Sequence, residues 1–219
     1  MTGEVLVALR DVREIAALQQ FADRPWQAII YLNDIIMSIL GGRSALIDSE
    51  AWIHPSATLC NSVVCAGAKI YEGATVRDSY ILPGATIGHC SEVARSIIGT
   101  NAMVPRLNYV GSSIIGSNVQ LGGTAMLASR RHDRQAVTLH WGRERIALDV
   151  SQFGSIVGDD SIIAYGVHLN PGTVVAHNAW IMPYADLHGF TPPHTVTRTR
   201  GRITRFAMPR SSFGAPHGD

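Results

Sequence analysis

Aliphatic residues return on a six-residue beat through most of this chain. Three segments align at a step of 17: Asp78-Ser79-Tyr80-Ile81, Arg95-Ser96-Ile97-Ile98 and Ser112-Ser113-Ile114-Ile115. The same step links Val76, Val93 and Val110, and also Ile70, Ile87, Val104 and Leu121. After a break the beat resumes in strict sixes at Val157, Ile163, Leu169, Val175, Ile181 and Leu187. A period of six is neither the helical 3.6 nor the strand 2. It fits a coil with three short sides, one aliphatic residue per side pointing inward. Such coils stack at strand spacing, roughly 4.8 Å. Ala68, Ala74, Ala85 and Ala179 suit tight corners. Gly67, Gly73, Gly84, Gly172 and Asn178 suit corners that need unusual backbone angles. The pattern predicts an all-β chain, a left-handed parallel β-helix of hexapeptide repeats with six to seven coils.

The beat also sets the boundaries. Residues 1–47 lack it and are read as an N-terminal strand, Val5 to Leu9, and a helical cap. That cap consists of Arg10 to Phe21 and Pro25 to Leu40, the second segment covering the open end of the first coil. Residues 48–192 form the β-helix. It is interrupted at 128–154 by one protruding loop, because Ala128-Ser129-Arg130-Arg131-His132-Asp133-Arg134 is too charged for a coil interior. Val137 to Trp141 and Ile146 to Val150 flank Gly142-Arg143-Glu144-Arg145 as in a hairpin. Residues 193–219 are read as a C-terminal strand or arm. Long loops on regular scaffolds carry function more often than not.

Composition narrows the classes. Hydrophobic residues make up 46% and charged residues 16%, the reverse of a disordered chain. The formal net charge is +1, and Lys69 is the lone lysine, so neither nucleic acid nor an anionic membrane is an expected partner. Cys60, Cys65 and Cys90 are odd in number and lack C-x-x-C spacing, so they are read as small core residues of a cytoplasmic protein rather than a disulfide framework or zinc site. No leader-like segment opens the chain, and Asn33 and Asp34 interrupt the longest apolar run.

The repeat and its loop resemble the left-handed β-helix acyltransferases. The stretch Pro105-Arg106-Leu107-Asn108-Tyr109-Val110-Gly111-Ser112-Ser113-Ile114-Ile115-Gly116 is similar to the C-terminal acetyltransferase domain of sugar-1-phosphate nucleotidyltransferases, the enzymes that acetylate glucosamine-1-phosphate. The region of Trp26 resembles the helix joining that family's two domains. The resemblance implies a CoA-dependent acyltransferase, with acetyl-CoA or another acyl-CoA as co-substrate and no metal. It also implies a homotrimer with sites at subunit interfaces, an assembly the aliphatic residues left on one coil face favour too.

The implied site departs from the family's. Its histidine base falls at Arg106, and an arginine stays protonated at any working pH. Its sugar-phosphate tyrosine is kept as Tyr109. Its loop asparagine is Ser129, and two loop lysines fall at Gln135 and Thr138. Glucosamine-1-phosphate is therefore not the expected acceptor. Arg106, Arg130 and Arg131 are read as a site for another carboxylate or phosphate, on an amine or hydroxyl of a small anionic sugar or specialised metabolite. A replacement base is sought on the loop, His140 ahead of His132, with His168 on a coil face beside the same cleft. The resemblance puts CoA along the last coils at Ala164 and Met182, with Arg198, Arg200 and Arg202 toward its phosphates.

Two other classes stay open. One is a β-helix that has lost acyl transfer and serves as a scaffold or does other chemistry. The other is a zinc enzyme like the γ-class carbonic anhydrases, which share the fold. His89, His168, His177 and His188 invite that comparison, although no two histidines stand five apart.

Overall fold

The computed structural model describes residues 9–198. It is a left-handed parallel β-helix. Three sheets of short strands form the sides of a triangular solenoid, two with eight strands and one with seven. The first face runs from Ala45–Ile47 to Phe190–Thr191 and the second from Trp52–Ile53 to Val196–Thr197. The third runs from Thr58–Cys60 to Asp186–Leu187. The solenoid is longer than six to seven coils because pairing continues where the aliphatic beat stops. Thr191 and Thr197 pair with Val175 and Ile181, so threonines take the inward lane while the backbone ladder goes on.

Two separate cores hold the molecule. The inner core is the stack itself. It includes Val64, Ile81, Ile98, Ile115, Val157 and Val175 on one face, with their counterparts on the other two. Each is fully removed from water, which stabilises by about 1.5–3 kcal/mol per side chain. Ala68, Ala74, Ala85 and Ala179 are fully buried at the corners. Gly67, Gly73, Gly84, Gly172 and Asn178 all have positive φ.

A buried column of serines joins successive coils. The backbone N–H of Ser79, Ser96, Ser113 and Ser155 each donates to the serine hydroxyl one coil earlier, at 2.9–3.2 Å. The hydroxyls of Ser62, Ser79, Ser96 and Ser113 donate in turn to carbonyls two residues back. The column ends at Ser155, whose hydroxyl has no partner among the described residues. In the next coil Thr173 turns its hydroxyl to the Asn170 carbonyl instead.

The second core lies outside the solenoid, on the first face. There the residue before each inward one is also apolar: Val63, Tyr80, Ile97, Ile114, Ile156 and Val174 form an outward lane. That lane is buried under the N-terminal helices and the 137–153 segment. The helices are α1 (Arg10–Glu14), α2 (Trp26–Ile30) and α3 (Leu32–Leu40), with a 3-10 turn at Gln19–Phe21. The Arg10 to Phe21 segment is thus a short helix and a 3-10 turn, and Pro25 to Leu40 breaks at Tyr31. α3 ends on left-handed Gly41, whose N–H returns to the Met37 carbonyl.

The helices lie along the first face rather than over the open end of the first coil. Ile47, in the inward lane of that coil, remains 45% exposed. The aliphatic face assigned above to a subunit interface is therefore covered by the chain's own helices and hairpin. α1 is pinned to the corner between the first and second faces. The Asp159 carboxylate accepts from the Arg10 backbone and Nε and from the Ser117 N–H, and Asp11 accepts from Thr100 and Ser117. Burial pushes the Asp159 carboxyl up, against the pull of those donors and the Arg10 charge.

The loop leaves at Ser129 and rejoins at Phe153, whose N–H donates to the Ser129 carbonyl. Residues 130–136 stand exposed. The rest folds back as an antiparallel hairpin, Thr138–Trp141 against Glu144–Ala147, through a two-residue turn at Gly142-Arg143. Gly142 has φ +64, as the first central residue of a type II′ turn requires. Val137, Leu139, Leu148 and Phe153 join the second core, and Trp141 meets Trp26 edge-to-face at 5.2 Å. The expected strand Val5 to Leu9 lies outside the described residues but for Leu9, as do Arg200 and Arg202.

Candidate functional site

A cleft of about 590 Å³ opens where the loop passes the last coils. Its loop wall is Ala128 and Arg130 to Asp133, and its coil wall is Asn170, Pro171, Asp186 and His188. The coil wall follows from register. Leu169 and Leu187 point inward, so His168 and Asp186 before them are paired, outward neighbours on the third face. Asn170 and His188 come next, at the corner. Asn170 steadies this wall through its amide, which donates to the Asp186 carboxylate at 2.6 Å and to the Leu187 carbonyl at 3.0 Å.

On the loop wall, Arg131 clamps Asp133 through two hydrogen bonds. The guanidinium and the Gln135 N–H hold the Asp133 carboxyl well below the usual carboxylate range. Arg131 is thereby already engaged by an anion of its own chain. Ser129 is buried at the base of the loop.

His140 sits beside the cleft rather than in its lining. Its ring is half-buried and packs edge-to-face on His188 at 5.7 Å. Burial, then the charge of Arg145 across the hairpin, then His188 lower its pKa. The neutral imidazole is favoured, as a proton acceptor needs. The hairpin holds His140 there because its N–H donates to the Gly172 carbonyl at 3.1 Å. Gly172 itself has φ +81, and a Cβ on it would lie 2.1 Å from the Thr138 carbonyl oxygen. Only glycine lets the hairpin dock this closely.

Of the residues singled out from sequence, the fold gathers Arg130, Arg131, His132 and, through His188, His140. His168 is exposed at the cleft's edge. Tyr109 is two strands further along the third face, beyond Met126. Arg106 is not among the lining residues. It occupies the opposite corner of the third face, in the turn before Tyr109. Ala164, Met182 and Arg198 stack in one lane on that same far corner, since Met182 and Ala164 donate to Thr197 and Ile181. Beside them Tyr165 and Tyr184 meet edge-to-face at 5.1 Å, and Trp180, Met182 and Tyr184 are exposed. Within one chain, the lane implied for CoA and the cleft lie on opposite edges of the third face.

Sequence reasoning did not name Asn170, Pro171 or Asp186 as site residues, and it considered His188 only as a metal ligand. The signal was present: with 169 and 187 inward, their flanking residues share one outer surface. Among the described residues, no three His, Cys, Asp or Glu side chains come together as a metal-binding group. His89 lies with Glu72, His177 with His194, and His188 with His140. Among the described residues no helix is long and apolar enough to cross a membrane.

A family model, the GMPPB C-terminal domain, matches residues 42–132. No curated protein matches the chain. Similar solved structures include a Bacillus cereus gene product described as an acetyltransferase. It is 17% identical, covers 70% of this chain and 77% of its own, and has a TM-score of 0.42. The acetyltransferase domain of PglB from Neisseria gonorrhoeae, bound to acetyl coenzyme A, is 16% identical over 74% of this chain and 60% of its own, with TM-score 0.29. PerB from Caulobacter crescentus, bound to CoA and GDP-perosamine, is 16% identical over 75% and 62%, with TM-score 0.30. The chain thus spans about three fifths of the last two. In its repeat, its fold and its family match it resembles the left-handed β-helix acyltransferases.

Proposed function

We propose that the protein is a CoA-dependent acyltransferase whose acceptor, an amine or hydroxyl of a small anionic sugar or metabolite, enters the cleft between the loop and the last coils. The carrying observation is that cleft. It sets a loop cation and imidazole, Arg130 and His132, against a coil carboxylate and imidazole, Asp186 and His188. The similarity of residues 105–116 to a sugar-phosphate acetyltransferase segment and the family match over 42–132 support the reading.

In the reaction, a neutral imidazole at the cleft takes the proton of the acceptor nitrogen or oxygen as it attacks the thioester carbonyl. The new C–N or C–O bond forms, the C–S bond breaks, and the leaving thiolate takes the proton back from the imidazolium, releasing CoA as the thiol. His132 faces the acceptor directly, and His140 acts through His188. Arg130 attracts the acceptor's negative group, while Arg131 keeps the loop in shape through Asp133. With the CoA lane at Ala164, Met182 and Arg198 on the far edge of the third face, cleft and cofactor meet most simply between two copies. A homotrimer using the exposed Trp180, Tyr165 and Tyr184 corner provides that arrangement.

The test is a panel of acyl-CoAs and amino or hydroxy sugars carrying a phosphate or carboxylate, with products read by mass spectrometry. Acyl transfer is expected, lowered about 100-fold by His132→Ala, the usual worth of a general base. Absence of acyl-CoA binding by calorimetry would replace this reading with the scaffold. A monomer by light scattering at micromolar concentration would remove the shared site.

A further inference from the structure

A second void of about 440 Å³ opens at the neck of the loop. It shares no lining residue with the cleft, although Arg130 of the cleft and Gln152 of the void are bridged backbone to backbone. Its sides differ in chemistry. Ile29 and Ile30 of α2, with Val150, make an apolar wall. The corner between the third and first faces contributes Arg95 and Ser112, which hold the same left-handed position in successive coils, with φ +48 and +47. The limb returning from the hairpin contributes Asp149, exposed and also left-handed, a conformation aspartate tolerates better than most residues.

Both charges in this void lack partners. Among the described residues neither Arg95 nor Asp149 makes an ion pair. Arg95 is half-buried, yet among the described residues its guanidinium makes one hydrogen bond, from Nε to the Ser112 hydroxyl at 3.4 Å. Asp78, one coil earlier at that corner, accepts from the Asn61 amide. Ser112 is 2% exposed, and among the described residues its hydroxyl accepts the Arg95 bond and donates none. A buried hydroxyl with a free proton, beside a half-buried guanidinium with free N–H groups, is a set of donors that suits an anion.

We propose that this void binds an α-amino acid with an aliphatic side chain. Its carboxylate lies on Arg95 and Ser112, its ammonium on Asp149, and its side chain along Ile29, Ile30 and Val150. A simple carboxylate or phosphate satisfies the corner and leaves Asp149 unpaired. A simple amine satisfies Asp149 and leaves the corner's donors unpaired. A ligand with both charges and an apolar arm uses all three sides, a few polar groups fixing its orientation against an apolar wall.

The probe is L-leucine at millimolar concentration, titrated into the full chain by calorimetry and checked by thermal melting. Binding is expected, weakened about tenfold by Arg95→Gln, which removes the charge-assisted bonds. Ser112→Ala keeps every charge and should weaken it several-fold. Asp149→Asn should weaken leucine but not 4-methylpentanoate, which has the carboxylate and the side chain without the ammonium. Glycine lacks the apolar arm and should bind about tenfold more weakly than leucine. Arg130→Gln, in the cleft, should leave leucine binding as it is. No heat and no rise in melting temperature with leucine would overturn the proposal. So would unchanged affinity in both Arg95→Gln and Ser112→Ala, with circular dichroism showing each variant folded. Equal affinity for leucine and 4-methylpentanoate would overturn the amino-acid class. Loss of binding in Arg130→Gln would move the ligand to the cleft and overturn the site. No acyl-CoA enters these titrations, so their outcome is independent of acyl transfer.

Discussion

The first and third faces share one backbone and one inward beat, yet their outward lanes have opposite fates. On the first face that lane reads Val63, Tyr80, Ile97, Ile114, Ile156 and Val174. It is closed over by helices and hairpin, with every member at most 9% exposed. On the third face it reads Thr58, Thr75, Glu92, Tyr109, Met126, His168 and Asp186, and it stays open to solvent. The inward lane makes a solenoid of either face. The outward lane decides whether a face is packed or presented. The cleft forms at the edge where the two regimes meet, because the loop that covers the first face must pass the third face's last coils.

The sharpest way to break this contrast is to shorten matched outward residues. Ile114→Ala opens a cavity under the helices and should cost about 2–5 kcal/mol by chemical denaturation. Met126→Ala, 43% exposed on the third face, should change stability by less than about 1 kcal/mol. Equal effects would mean that the helices do not close the first face in solution. Asp159→Ala should follow, at about 2–4 kcal/mol, since it leaves the buried Ser117 N–H and the Arg10 donors without their acceptor. Ser96→Ala interrupts the serine column and should cost about 1–2 kcal/mol, because the Ser113 N–H loses its acceptor.

The smallest effects are in pH dependence, with opposite signs at Tyr80 and His140. Burial, reinforced by Cys65, pushes the Tyr80 hydroxyl up to about 12. The unfolded chain ionises first, so this contribution is complete below pH 10 and is lost as pH rises toward 12. Tyr80→Phe should flatten that alkaline slope. His140 is lowered from its ordinary 6.5. The unfolded chain then binds the proton more readily, so stability falls as pH drops below about 6.5. Denaturation midpoints of His140→Gln against pH should lack that acid slope. A slope unchanged by the substitution would mean that the ring is solvated rather than packed on His188.

Much of this was legible without coordinates. The beat at Ile70, Ile87, Val104 and Leu121 names the inward lane. Paired aliphatics such as Ile97-Ile98 and Ile114-Ile115 show a face apolar on both sides. What covers that face was not legible, since an outward Ile97 reads the same under a subunit as under the chain's own α3. The coil count was missed for a similar reason: Thr191 and Thr197 keep the ladder's hydrogen bonds without the apolar signal.

The sequence by itself determined the solenoid, its corners and the place of the break, because each depends on residues within one coil or on a strict period. Only the tertiary structure decided which side chains meet across coils. His140 reaches His188 because Gly172 lets the hairpin dock. Glu72 and His89 meet because coils stack 17 residues apart. Arg106 is held away from Arg130 by the width of a face. These meetings depend on side-chain direction and on a loop's landing point, which no periodicity records.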